Sequence, residues 1–182
     1  QVPFKFNRLS LHPKYKWVQA HIGDVAMSFS PYTLSGHQFT GGGIELTPKG
    51  DFKIAVMAGR LLQATENDED VRTIPAFSRN GYGVKLGYEK EKYKIGIIGF
   101  YAKDDINSIV AVPDDKGITP KENLVVSLEG SYKILDNLEF TGAYASTAIT
   151  QDLRAEVSNE NGQGLASLFF KNRASTEYYT AI

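Results

Sequence analysis

From Tyr82 onward, alternate residues are Tyr82, Val84, Leu86 and Tyr88, while Gly83, Lys85, Gly87 and Glu89 fall between and after them. Side chains of a strand point alternately to its two faces, so this period of two predicts a strand with one oily face. After EKEK the pattern resumes. Tyr93, Ile95, Ile97, Gly99 and Tyr101 alternate with Lys94, Gly96, Ile98 and Phe100, and the two segments read as a hairpin. The same alternation marks Phe52 to Gly59, Asn123 to Tyr132, Leu138 to Ala145 and, more briefly, Gly43 to Thr47. Less regular segments at Val2 to Leu11, Tyr15 to Ile22 and Thr176 to Ile182 bring the expected count to about nine strands.

Connection lengths carry direction. HPK, TPKGD, EKEK and KILDN are tight turns, whereas Gly23 to His37, Gln63 to Asn80, Lys103 to Glu122 and Thr150 to Ser175 are long. In an up-and-down sheet alternate connections lie at the same end, so tight turns gather on one rim and long loops on the other. Outer-membrane barrels have this asymmetry, with short periplasmic turns and longer extracellular loops. The expected fold is all-β and a single domain over residues 1–182: an antiparallel up-and-down transmembrane β-barrel, or a segment of a larger one.

A soluble β-sandwich binding domain also alternates apolar and polar residues, because its oily face meets a second sheet. Aromatic placement separates the two. Phe52, Tyr88, Tyr93, Tyr132 and Phe140 stand on the oily parity beside tight turns, and Tyr82, Tyr101 and Tyr144 stand on it nearer the long loops. Two interfacial belts are expected of a membrane strand, since a tyrosine ring tolerates acyl chain while its hydroxyl reaches water. The opposite parity carries Lys53, Lys85, Glu89, Lys94, Glu129, Lys133 and Glu139, which a barrel would turn toward its lumen. Arginine or lysine facing lipid at midplane costs about 2–4 kcal/mol, which explains that segregation. Arg60 shares the oily parity but lies at the long-loop end, where the cost is small.

Composition narrows the classes. The chain has 182 residues, with 20 basic and 21 acidic side chains that nearly cancel, so no nucleic-acid partner is expected. No run of 18 apolar residues offers a membrane-spanning helix, and a crossing would have to be made by strands. With no cysteine, disulfides and thiolate metal sites are excluded. His21 beside Asp24, with Ser28 and Ser30 downstream, is the only grouping that invites a hydrolytic reading, and no partner stands at a readable spacing. Acidic clusters at Asn67 to Asp70, Asp104 with Asp105, and Asp114 with Asp115 read as solvated loop charge rather than a Ca²⁺ site, since no twelve-residue calcium loop is present. Gly41, Gly42 and Gly43 lie in a strand with no following GK[ST], so they predict curvature and not a phosphate cradle. No catalytic, cofactor-binding or metal-binding residue is assigned.

The stretches HIGDVAMSFSPYTLSGHQFTGGGIEL, AVMAGRLLQA, SRNGYGVKLGYEK, AKDDINSI and ENLVVSLEGSYK resemble uncharacterised outer-membrane β-barrel proteins of Bacteroidetes-type bacteria, over about Lys16 to Asp152. A Gly-Asp pair before a Ser/Thr-rich stretch and a Gly-rich strand also resembles fimbrial ushers and other wide translocation barrels. The resemblance implies location in the outer membrane of a Gram-negative cell and contact with outer-membrane lipid and lipopolysaccharide. It implies no catalytic residues. The expected function is a passage or translocation scaffold; the alternative is a non-conducting barrel that anchors or assembles with another outer-membrane protein complex. A first strand that would descend from the long-loop side, and a C-terminus YYTAI without a terminal aromatic, lead us to expect a segment of a larger barrel.

Overall fold

A computed structural model of the protein describes residues 9–67, 74–110 and 117–182. They form one antiparallel sheet of β1 (Ser10–Leu11), β2 (Lys14–Tyr15), β3 (Val18–Ser28), β4 (Ser35–Leu46), β5 (Phe52–Leu62), β6 (Arg79–Glu89), β7 (Tyr93–Asp104), β8 (Glu122–Leu135), β9 (Leu138–Thr150) and β10 (Thr176–Ala181). From β3 onward each strand pairs with the next in sequence, the meander that alternating turn lengths predict. The N-terminal half of the expected Val2 to Leu11 strand, Asp68 to Asp70, and Asp114 with Asp115 lie outside the described residues.

Three expectations need correction. The sheet is open: β10 pairs only with β9, and among the described residues no ladder joins it to β1. One edge, among the described residues, is two residues on either side of His12-Pro13, and the other is six residues long. HPK is not a turn. Leu11 faces Ile22 and Lys14 faces Gln19 in one continuous register, so β1 and β2 are a single arm interrupted where proline lacks an N–H, and the chain reverses at Lys16 with φ 52°. Nor is Gly23 to His37 a long loop, because β3 runs to Ser28 and β4 starts at Ser35. The signal was present as Val25, Met27 and Phe29 at alternate positions, all buried.

The sheet curls toward one face, and glycine is the cause. Gly23, Gly41, Gly59 and Gly81 oppose one another across β3 to β6, leaving an inner row with no side chains. A Cβ on Gly41 would stand 2.3 Å from the Ala58 carbonyl oxygen, and one on Gly59 would stand 2.6 Å from the Phe39 ring. Such contacts allow only glycine where strands coil this tightly. The curl brings Val25, Met27, Phe29, Leu34, Phe39 and Met57 from β3 to β5 against Ile98, Phe100, Ala102 and Val125 of β7 and β8. The dry core therefore lies inside the curved sheet.

Candidate membrane-facing surface and sheet interior

The outer face resolves into rows of residues that oppose one another across the ladders. One row reads Val18, Leu46, Ile54, Leu86, Ile97, Leu128 and Tyr144; the next toward the long loops reads Ala20, Ile44, Val56, Val84, Gly99, Val126 and Ser146. After a row holding Ile22, Tyr82, Tyr101 and Leu124 comes one that is polar throughout: Asp24, Thr40, Arg60, Asn80, Lys103, Glu122, Thr150 and Thr176. No charge stands on the outer parity between that row and the tight turns. Among the described residues none covers this face over β4 to β7 either, and Ile97 keeps 49% of its surface exposed with Ile95 at 53%.

The apolar surface runs obliquely to the strands. β4 ends at Leu46, whose row reaches β9 at Tyr144, yet β9 begins about six residues lower, at Leu138, five strands on. About six residues of 3.3 Å against five strand spacings of about 4.8 Å give a slope of roughly 40°, the tilt at which strands cross a barrel. At that tilt the apolar stretch from Tyr93 to Tyr101, about 26 Å of strand, spans about 20 Å of height, close to the outward apolar band of about 25 Å in membrane barrels.

Aromatic residues edge this band. At the tight-turn side the Phe52 and Tyr88 ring centroids lie 4.9 Å apart, and those of Tyr88 and Tyr93 5.9 Å apart. Tyr93 opposes Tyr132, which opposes Phe140. At the long-loop side Tyr82 opposes Tyr101, whose hydroxyl donates to the Glu122 carboxylate. Tyr144 departs from the expectation and sits in the middle row beside Leu128. Ladder register, rather than distance from a loop, sets a residue's place in the sheet. Tyr178, on the irregular last strand, takes a place in the Tyr82 and Tyr101 row that alternation did not reveal.

On the inner parity lie Lys53, Lys85, Glu89, Lys94, Glu129, Lys133 and Glu139. Lys53 contacts the Glu89 carboxylate directly, Glu89 opposes Lys94, and Lys133 opposes Glu139 while its ammonium lies 3.2 Å from Asp136. Lys85 reaches Glu129 at 3.3 Å across β7, passing beside Gly96. The Lys85 ammonium also donates to the Phe29 carbonyl, while the Phe29 ring packs where Gly83 has no Cβ. These contacts draw the six-residue turn 29–34 into the concavity. Thr33 and Leu34 of that turn line a cavity of about 630 Å³ with His37, Arg79 and Lys121. Pro31 and Tyr32 line another of about 740 Å³ with Lys85, Glu89, Lys94 and Glu129. The turn and the apolar core thus lie between two open cavities, each with charged side chains in its wall.

The hydrolytic grouping is not assembled. His21 points inward and is buried, whereas Asp24 points outward and accepts a hydrogen bond from Thr40 Oγ1 at 2.5 Å. Ser30 instead pairs its hydroxyl with Thr33 Oγ1 at 2.9 Å inside the turn. His21 has neighbours the sequence did not indicate: its Nδ1 lies 2.9 Å from His12 Nδ1, and its Nε2 lies 3.2 Å from Glu45 Oε1, though poorly aligned for a hydrogen bond. Among the described residues no three His, Cys, Asp or Glu side chains gather as a metal site. No protein-family model, curated protein sequence or solved structure matches the chain.

Proposed function

We propose that this chain is a membrane-spanning arc of an outer-membrane β-barrel, facing lipid and lipopolysaccharide on its outside and serving as a non-conducting anchor for another outer-membrane protein. One observation carries the membrane assignment: an uncharged apolar face, uncovered over β4 to β7 and about 20 Å high along β7, whose tight-turn margin is staggered as in tilted barrel strands. A soluble sandwich would bury such a face under a second sheet. The sheet is not closed on itself, which fits an arc better than a complete barrel. The resemblance to Bacteroidetes-type outer-membrane barrels points the same way.

The interior favours an anchor over a passage. A water-filled pore needs a polar lining throughout, and here Phe29, Leu34, Phe39, Ile98 and Phe100 form a dry layer. The chambers on either side of turn 29–34 favour a second reading, a passage that conducts when the turn withdraws. Planar-bilayer recording of protein whose insertion is verified by protease protection separates them. Silence is expected of the anchor, and a steady open current would contradict it. Monodisperse behaviour without detergent would overturn the membrane assignment itself.

A further inference from the structure

On β9 the outer parity holds Ser146, Ala148 and Thr150, and all three are fully buried, although equivalent positions on β5 to β7 are open. Their cover is the chain's own β9–β10 connection, which folds back onto the outer face. A 3-10 helix, Leu165–Phe169, seats Ala166 there, and the Ala166 N–H donates to Ser146 Oγ at 3.1 Å. The approach is close: a Cβ on Gly164 would stand 2.4 Å from Ser146 Oγ, and one on Gly162 2.4 Å from the Tyr178 hydroxyl. Small residues on β9 and glycines in the loop together make a notch into which this helix locks.

What the helix presents outward is apolar. Leu168 is 72% exposed and Phe169 74% exposed. They follow Ala166, which is seated at Ser146, and the row of Ser146 carries Val56 and Val84 on neighbouring strands. Here the sheet offers small side chains, and the loop that covers them adds the exposed apolar Leu168 and Phe169. Lys171 follows on the exposed side, where a long basic stem can reach headgroup phosphate.

We propose that Leu168 and Phe169 form a wedge that enters the outer leaflet at the boundary of acyl chains and headgroups, fixing the depth and rotation of β8 to β10. This rests on the membrane assignment and adds to it a loop element that binds lipid. Interfacial apolar and aromatic side chains over a rigid seat hold such a position by burying their area among acyl chains.

The test uses the full chain with its single tryptophan removed (Trp17→Phe) and one tryptophan introduced by Phe169→Trp, Leu168→Trp or, as reference, Ile97→Trp. Each is folded into phosphatidylcholine vesicles brominated either near the headgroup or near the chain end, with folding checked by heat-modifiable mobility. Position 169 or 168 should lose at least about twofold of its emission to headgroup-proximal bromine and less to the deep label, with aqueous iodide ineffective; position 97 should respond to the deep label. Iodide quenching without bromine quenching at both 168 and 169, while 97 responds to lipid, would overturn the wedge and leave the membrane assignment standing. Silence toward bromine at all three would overturn both.

Discussion

Replacing Ile97 by arginine tests the outer face most sharply. Ile97 lies in the central apolar row between Leu86 and Leu128, half exposed, with none of the described residues over it. Asn80, on the polar row, is about six residues along β6 from Leu86. That is about 20 Å of strand and about 15 Å of height at a 40° tilt, half of a hydrocarbon core of about 30 Å. Lys103, the polar-row residue of Ile97's own strand, is likewise about six residues away, so if it marks one interface Ile97 sits near midplane. Arginine there should cost about 2–4 kcal/mol, a shift of roughly 30- to 700-fold in the folding equilibrium, whereas Asn80→Arg should cost less than about 1 kcal/mol. Were the face in water, Ile97→Arg would be a surface change worth no more than about 0.5 kcal/mol. Adjacent Ile98 points inward and is fully buried, so Ile98→Ala should lose about 2–5 kcal/mol in either setting and serves as the packing control. Urea titration into lipid vesicles, followed by Trp17 emission and heat-modifiable mobility, measures all three. An Ile97→Arg protein within 0.5 kcal/mol of wild type, beside a clearly weakened Ile98→Ala, would refute the lipid-facing assignment.

Three further outcomes follow from the interior and the loops. Lys85→Met should cost about 1–2 kcal/mol and free turn 29–34, because it removes both the Glu129 ion pair and the donor to the Phe29 carbonyl; hydrogen exchange at Thr33 and Leu34 should rise, and unchanged protection would count against the strut. Gly59→Ala should destabilise by about 1–3 kcal/mol through its clash with Phe39, while outer-face Gly99→Ala, whose new Cβ would meet Val84 at an ordinary 3.6 Å, should be tolerated; denaturant midpoints decide. In the β9–β10 loop, Arg154 donates to both oxygens of Asp152 and holds that carboxyl below its usual range. A depressed folded pKa contributes stability above the unfolded value and loses it as pH falls through the folded one, so Arg154→Ala should raise the Asp152 pKa by NMR titration and reduce this acid-side loss.

The local pattern carried much of this molecule. Alternation at Phe52, Tyr82, Tyr93, Leu124 and Leu138 located five strands and assigned both faces of each, because a period of two is a property of the strand itself and needs no partner. Turn positions at TPKGD, EKEK and KILDN followed from the same runs. Where proline interrupted an arm, at HPK, the pattern misread a broken strand as a reversal; where glycine opened a strand, at Gly23, it misread a strand as a loop. The His12, His21 and Glu45 grouping left no trace in spacing, since three different strand segments supply it.

What the sequence determined by itself was therefore which side of each ribbon is oily, and the order in which ribbons neighbour one another. Only the tertiary structure decided that the row of glycines curls the sheet, that turn 29–34 enters the resulting hollow, that a 3-10 helix covers part of the outer face, and that the two edges do not meet. Curvature, stagger and edge pairing sum small displacements over many strands and depend on contacts between residues far apart in the chain, and no window of alternating residues contains them.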